Sequence, residues 1–156
     1  MSPDDDDPSA RVAAAYAALG RGAMAGLPLN NPALRVETVG FRRWQGVWVG
    51  VLVTPWTLSL ILLPAGNPAF RALDGDQVQD WHLPSGVYEF RGGRLAGLGP
   101  YQTCSLFSPP AEFADQDAAR AVAEEVMAAL LRPLAEAVPA AHSRRDFLRA
   151  SFRNSA

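Results

Sequence analysis

Apolar positions recur along this chain with a helical period near each end and a strand period between them. Over 9–25, Val12, Tyr16, Leu19 and Ala23 fall at three- and four-residue spacing, which predicts a helix. Gly20, Gly22 and Gly26 weaken its end, and Pro28 to Pro32 stop it. Val36, Thr38 and Phe41 mark a first strand over 35–44, and Gln45-Gly46 reads as a tight turn into a second over 47–53. Pro55 has no amide hydrogen to give to a ladder, so it marks a corner. A third strand follows over 57–63, with Leu58, Leu60 and Leu62 facing one way until Pro64, Gly66 and Pro68 end it. Residues 65–80 read as an irregular connection with one short helical turn. A fourth strand over 87–91 meets a hairpin signal at Gly92-Gly93 and returns over 94–98. The last strand, 101–107, is closed by Ser108-Pro109-Pro110.

A second helix is predicted from Asp115, with Ala119, Val122, Val126, Leu130 and Leu134 on one face and Arg120, Glu124 and Glu125 toward water. Pro133 clashes with the preceding turn and ends or bends it. Together these elements predict an α+β fold: an antiparallel sheet of about five to six strands of mixed length, packed against two long helices. One domain is expected over 9–139, with an acidic, disordered tail at 1–8 and a basic tail at 140–156. Within the acidic tail, Asp7-Pro8-Ser9 is placed to cap the first helix.

The most strongly patterned segment, Trp44 to Pro64, contains no acid, base or metal ligand. Catalysis needs groups that move protons or hold ions, and a buried sheet core supplies neither. Gly50, Thr54, Pro55, Thr57 and Ser59 interrupt the apolar stretch, and β-branched enrichment favours two strands over a membrane helix. No stable membrane insertion is expected. The acidic N-terminus does not suit a secretory signal.

Charge narrows the field further. A net charge of −2 creates no broad field for nucleic acid. All 14 basic residues are arginine, so Schiff-base chemistry, a phosphate-loop lysine and a lysine base are excluded. A single cysteine, Cys104, rules out an internal disulfide and cysteine-rich metal sites.

The candidate chemistry is correspondingly thin. Cys104 could act as a nucleophile only beside a base, and His82 and His142 are the histidines available. Its strand face is shared with Gln102 and Leu106, which suits a buried position. His82, Asp80 and Asp76 lack metal-ligand spacing, so neither a metal nor a cofactor is expected. No GxSxG and no glycine-rich phosphate loop is present. Trp44, Trp48 and Trp56 lie at the margins of strands, and an indole N–H favours partly wet sites such as interfaces.

Near the C-terminus, Ser143-Arg144-Arg145-Asp146-Phe147-Leu148-Arg149 resembles the consensus of a twin-arginine export signal. With only residues 150–156 behind it, the segment has no apolar region to serve as this chain's own signal.

Three blocks occur in order: Trp48-x-Gly50-x-x-Val53-Thr54-Pro55-Trp56-x-x-Ser59 with Pro64, then Leu83-Pro84-x-Gly86, then Tyr101-x-x-Cys104-Ser105-Leu106-x-Ser108-Pro109. This pattern resembles the HybE/HupJ family of [NiFe]-hydrogenase assembly chaperones. The resemblance implies a cytoplasmic, non-enzymatic maturation factor that binds the hydrogenase small-subunit precursor and its twin-arginine signal, delaying export until assembly is complete. The large subunit and other maturation factors are further candidate partners. Some relatives carry a rubredoxin domain with paired CxxC motifs, which one cysteine cannot supply. The matching blocks nominate Trp48, Thr54, Pro55, Trp56, Tyr101, Cys104, Ser105 and Ser108 as client-binding residues. Glu89 and Asp80 are candidate partners for the client's arginines, and Ser143, Arg144, Arg145, Phe147 and Leu148 a candidate self-occluding segment. Two other readings stand beside this one: a cysteine-dependent enzyme using Cys104, and a generic module for apolar peptides.

Overall fold

A computed structural model describes residues 6–133. Its elements run α1 (Ser9–Arg21), β1 (Glu37–Trp44), β2 (Val47–Val53), β3 (Leu58–Pro64), β4 (Val78–Leu83), β5 (Gly86–Leu95), β6 (Gly99–Phe107) and α2 (Gln116–Leu130). The strands form one six-stranded sheet in the order β1-β2-β3-β6-β5-β4, every neighbouring pair antiparallel. The α+β class expected from the sequence is what the chain adopts, with helices of 13 and 15 residues.

Local hydrogen bonds mark the start of each helix. The Asp7 carboxylate accepts from Ser9 N at 2.8 Å ahead of α1, and Asp115 caps α2 by accepting from Ala118 N at 2.8 Å. At the first hairpin, Gln45 and Gly46 take φ of 44° and 76°, the left-handed pair that a two-residue turn between twisted strands requires.

The helices lie on opposite faces of the sheet. Val47, Val49, Val51 and Val53 of β2 join Leu58, Leu60 and Leu62 of β3 in a core with Ala119, Ala123, Val126, Met127 and Leu130 of α2. On the other face, Leu52, Ile61, Leu63 and Tyr101 pack with Val12 and Tyr16 of α1. Central strands enclosed on both sides must be apolar throughout, which explains the uninterrupted runs VWVGVLV and LSLILLP. Each fully buried Leu or Ile there contributes roughly 1.5–3 kcal/mol of transfer free energy.

A register shift in β1 between Val39 and Arg42 explains why Val36 and Phe41, of opposite parity, both pack on the α1 face. The bulge turns Phe41 over Gly50, whose missing side chain leaves the space that the ring fills.

Three expectations are corrected. The connection over 65–80 gives way at Val78 to β4, an edge strand whose only buried residues are Trp81 and Leu83, so its alternation is too short to announce it. Gly92-Gly93 is not a turn: β5 runs straight through it, and the chain reverses between Leu95 and Gly99. These glycines serve close approach instead, Gly92 lying against Leu73 and Gly93 under the Tyr101 ring. Finally, α1 stops at Arg21 rather than 25; α2 ends at Leu130, ahead of Pro133, as that proline led one to expect. Leu134 lies outside the described residues.

Candidate functional site

The β2–β3 hairpin closes through Thr54-Pro55-Trp56-Thr57. Thr54 N donates to Thr57 O at 2.9 Å, while Thr54 Oγ1 donates to Thr57 O and accepts from the amides of Trp56 and Thr57 at 3.2 and 2.9 Å. Thr54 is fully buried, and those bonds satisfy its hydroxyl there. Pro55 and Trp56 form the tip and remain half-buried.

The Trp56 ring turns back over the α1 face. It stacks on Tyr16 at 6.4 Å between centroids, and Tyr16 meets Tyr101 edge-on at 6.0 Å. Tyr16 Oη donates to Tyr101 Oη at 3.0 Å. Burial, and then the neighbouring Tyr101 hydroxyl, push the Tyr16 phenol far above its ordinary pKa. Burial also raises Tyr101, against the hydrogen bond it accepts from Tyr16. Both therefore stay neutral, and this pair offers structure rather than acid–base chemistry.

Around the hairpin tip the chain leaves apolar surface uncovered. Leu27 and Leu29 are 38% and 68% exposed. Their segment is fixed at both ends on the tip: Gly20 lies against the Trp56 ring, and Asn31 N donates to Pro55 O at 2.7 Å. Asn31 Nδ2 also donates to the carbonyls of Pro110 and Phe113, drawing in the segment after β6 where Ser108 is exposed.

Of the residues nominated by the sequence, Pro55, Trp56, Ser105, Ser108 and Trp48 reach the surface in whole or part. Trp48 does so beside Arg43, whose guanidinium lies 5.9 Å from its ring centroid. Thr54, Tyr101 and Cys104 are enclosed and support the surface from below. Cys104 is 3% exposed in the core facing α2, whereas His82 is exposed on β4. In β4, His82 has the parity opposite to Trp81 and Leu83, whose side chains enter the Cys104 core, so the sheet separates imidazole from thiol. Ser143, Arg144, Arg145, Phe147 and Leu148 lie outside the described residues.

Two further features were not visible in the sequence. One is Gln102, fully buried on β6. It accepts from Trp81 Nε1 at 2.8 Å and donates through Nε2 to Arg71 O and Gln79 Oε1, both at 2.9 Å. This network ties the 69–79 segment and β4 to the sheet, and it satisfies Trp81 internally, away from any interface.

The second feature is an open half-face. Helix α1 packs over β1 and the centre of the sheet, and among the described residues nothing covers the same face of β4 and of β5 over 87–91. In the β4–β5 ladder Asp80 stands directly opposite Glu89, His82 opposite Val87, and Val78 opposite Arg91. All six are exposed. Thr103, opposite Arg91 on β6, and Ser105 two residues further on continue the surface inward at half burial. Like charges directly across an antiparallel pair repel, and neither Asp80 nor Glu89 has an ion-pair partner among the described residues. Such a surface can receive a cation with apolar neighbours. No group of three or more His, Cys, Asp or Glu residues that could hold a metal occurs among the described residues. No helix among them is long and apolar enough to cross a membrane.

Residues 7–150 match the family model described as [NiFe]-hydrogenase assembly, chaperone, HybE. The chain is 43% identical over 149 residues to the hydrogenase expression/formation protein HupJ of Bradyrhizobium diazoefficiens, covering 90% of this chain and 86% of that one. It is 40% identical over 109 residues to a probable rubredoxin HupJ of Rhodobacter capsulatus, covering 70% of this chain and 39% of that one. The fold is similar to the solution structure of HybE from Escherichia coli, with a TM-score of 0.64 and 25% identity over 88% of this chain and 90% of that one.

Proposed function

The chain belongs to the HybE family of [NiFe]-hydrogenase assembly chaperones, and on that premise we propose that its client is the hydrogenase small-subunit precursor, bound through its twin-arginine signal. Holding that signal keeps the precursor from export until its partner subunit has matured, which makes the cytoplasm the place of action. The family is one of assembly factors rather than catalysts.

The observation that supports a twin-arginine ligand is the exposed cross-strand pair of Asp80 and Glu89. Two adjacent carboxylates suit two planar guanidinium groups, each able to make a bidentate contact. Trp56, Leu27 and Leu29 supply apolar surface for the hydrophobic part of a signal.

Capture of the precursor by the tagged chain tests this reading in three forms: native signal, Arg-Arg changed to Lys-Lys, and signal removed. Lysine keeps the charge but loses the fork, so the Lys-Lys form should bind about tenfold more weakly or worse. Removing the signal should abolish capture. Equal capture of all three forms overturns the proposal and favours a generic apolar-peptide module.

A further inference from the structure

The described chain ends beside the open half-face. Ser85 N, in the β4–β5 turn, donates to Leu130 O at 3.2 Å, and Pro133 joins His82 and Val87 in lining one depression. Residues 134–156 therefore start next to the His82–Val87 pair, two residues along the strands from Asp80 and Glu89 and about 7 Å away. That continuation carries Arg144, Arg145, Arg149 and Arg153 against Glu136 and Asp146, the opposite sign to the pair it starts beside. Arg144 lies eleven peptide units beyond Pro133, with ten residues between them. A chain of that length spans about 18 Å on average and at most about 38 Å, well beyond the separation required.

We propose that the open face of β4 and β5 is the docking site of the chain's own segment 143–149, with Arg144 and Arg145 on Asp80 and Glu89. Phe147 and Leu148 then lie beyond the acids, on the side where Val78 is exposed. Arg91 shares this face, and its guanidinium lies 3.9 Å from the exposed Asp76 carboxylate. Tethering gives the segment an effective concentration near millimolar, so weak peptides are refused and a client must compete. That last consequence rests on the twin-arginine reading; the docking does not.

Paramagnetic broadening in the full chain tests the docking without any client. A spin label placed by Ser151→Cys in a Cys104→Ala background should broaden amides of β4 and β5. The broadening should be lost in R144Q/R145Q and equally in D80N/E89Q. Retention in either variant, or broadening centred elsewhere, overturns the proposal. So does broadening of an unlabelled isotope-enriched copy mixed with labelled chains, which would mean contact between molecules. Binding of a synthetic Ser-Arg-Arg-Asp-Phe-Leu-Arg peptide is then compared between the full chain and R144Q/R145Q. For a segment whose untethered affinity is about 0.1 mM, the variant should bind the peptide about tenfold tighter. Unchanged affinity with intact broadening would overturn the competition while leaving the docking in place.

Discussion

Replacing Gln102 with leucine tests whether the acidic strand is held by one buried amide. The substitution keeps the side chain's size and removes three hydrogen bonds, to Trp81 Nε1, Arg71 O and Gln79 Oε1. Arg71 and Gln79 lie near the surface and can turn to water, but Trp81 is 5% exposed and its N–H cannot. An orphaned buried donor costs roughly 1–3 kcal/mol, and the two weaker losses add about 0.5 kcal/mol each. The expected destabilisation is therefore about 2–4 kcal/mol, or a fall in Tm of about 5–12 °C for a chain of this size.

Most of that cost falls on the orphaned indole N–H, so the sharper experiment is a double-mutant cycle with Trp81→Phe. Phenylalanine has no N–H to orphan, hence Gln102→Leu should cost about 1–2 kcal/mol less in that background. Urea unfolding followed by far-UV circular dichroism at constant m gives all four corners. Amide exchange should show β4 losing protection before β2 and β3, because Asp80 and His82 flank the residue set free. Additive costs, or uniform loss of protection, would refute the assignment of Gln102 as the clasp on β4.

Cys104→Ala should cost about 1 kcal/mol, by the small cavity it leaves, and should leave client capture unchanged; loss of capture in a folded variant would revive the thiol reading. Trp56→Ala should weaken capture of the precursor about tenfold or more, since it removes the aromatic at the hairpin tip, and capture at wild-type strength would exclude that tip from the client surface. Glu37 is pushed up by burial, but hydrogen bonds from Arg120 at 2.8 Å and from Gln116, with the charges of Arg120 and Arg35, outweigh that and leave its carboxyl below the usual range. A depressed folded-state pKa contributes stability above the unfolded value and loses it as pH falls through the folded one, so acid titration of stability should flatten in Glu37→Gln; an unchanged slope would contradict the assignment.

What the sequence made legible was the part of the fold in which one residue's environment follows from its immediate neighbours. Val47–Val53 is bounded by a Gln-Gly turn and a Thr-Pro corner, and the strand occupies those bounds. Asp115 caps α2 as its position before an apolar period implies. The failures share a physical cause: each needed knowledge of something distant in the chain. Gly92 and Gly93 carry the signature of a turn, yet they are small because Leu73 and Tyr101 press on them. Edge strand β4 shows little alternation, because only Trp81 and Leu83 reach the core. The candidate surface follows the same rule. Trp56, Ser105 and Ser108 were legible as members of ordered blocks, whereas the burial of Thr54, Tyr101 and Cys104 depends on hairpin closure and helix packing. Asp80 and Glu89, nine residues apart, become a single feature only through the register that sets Leu83 against Gly86 and so brings the two carboxylates face to face. A two-residue slip in that ladder would dissolve the pair without altering any composition or motif. The acidic feature is therefore a property of register, and Ser85, bonded to Tyr88 at 2.6 Å and to the end of α2, is the residue in the turn that helps fix it.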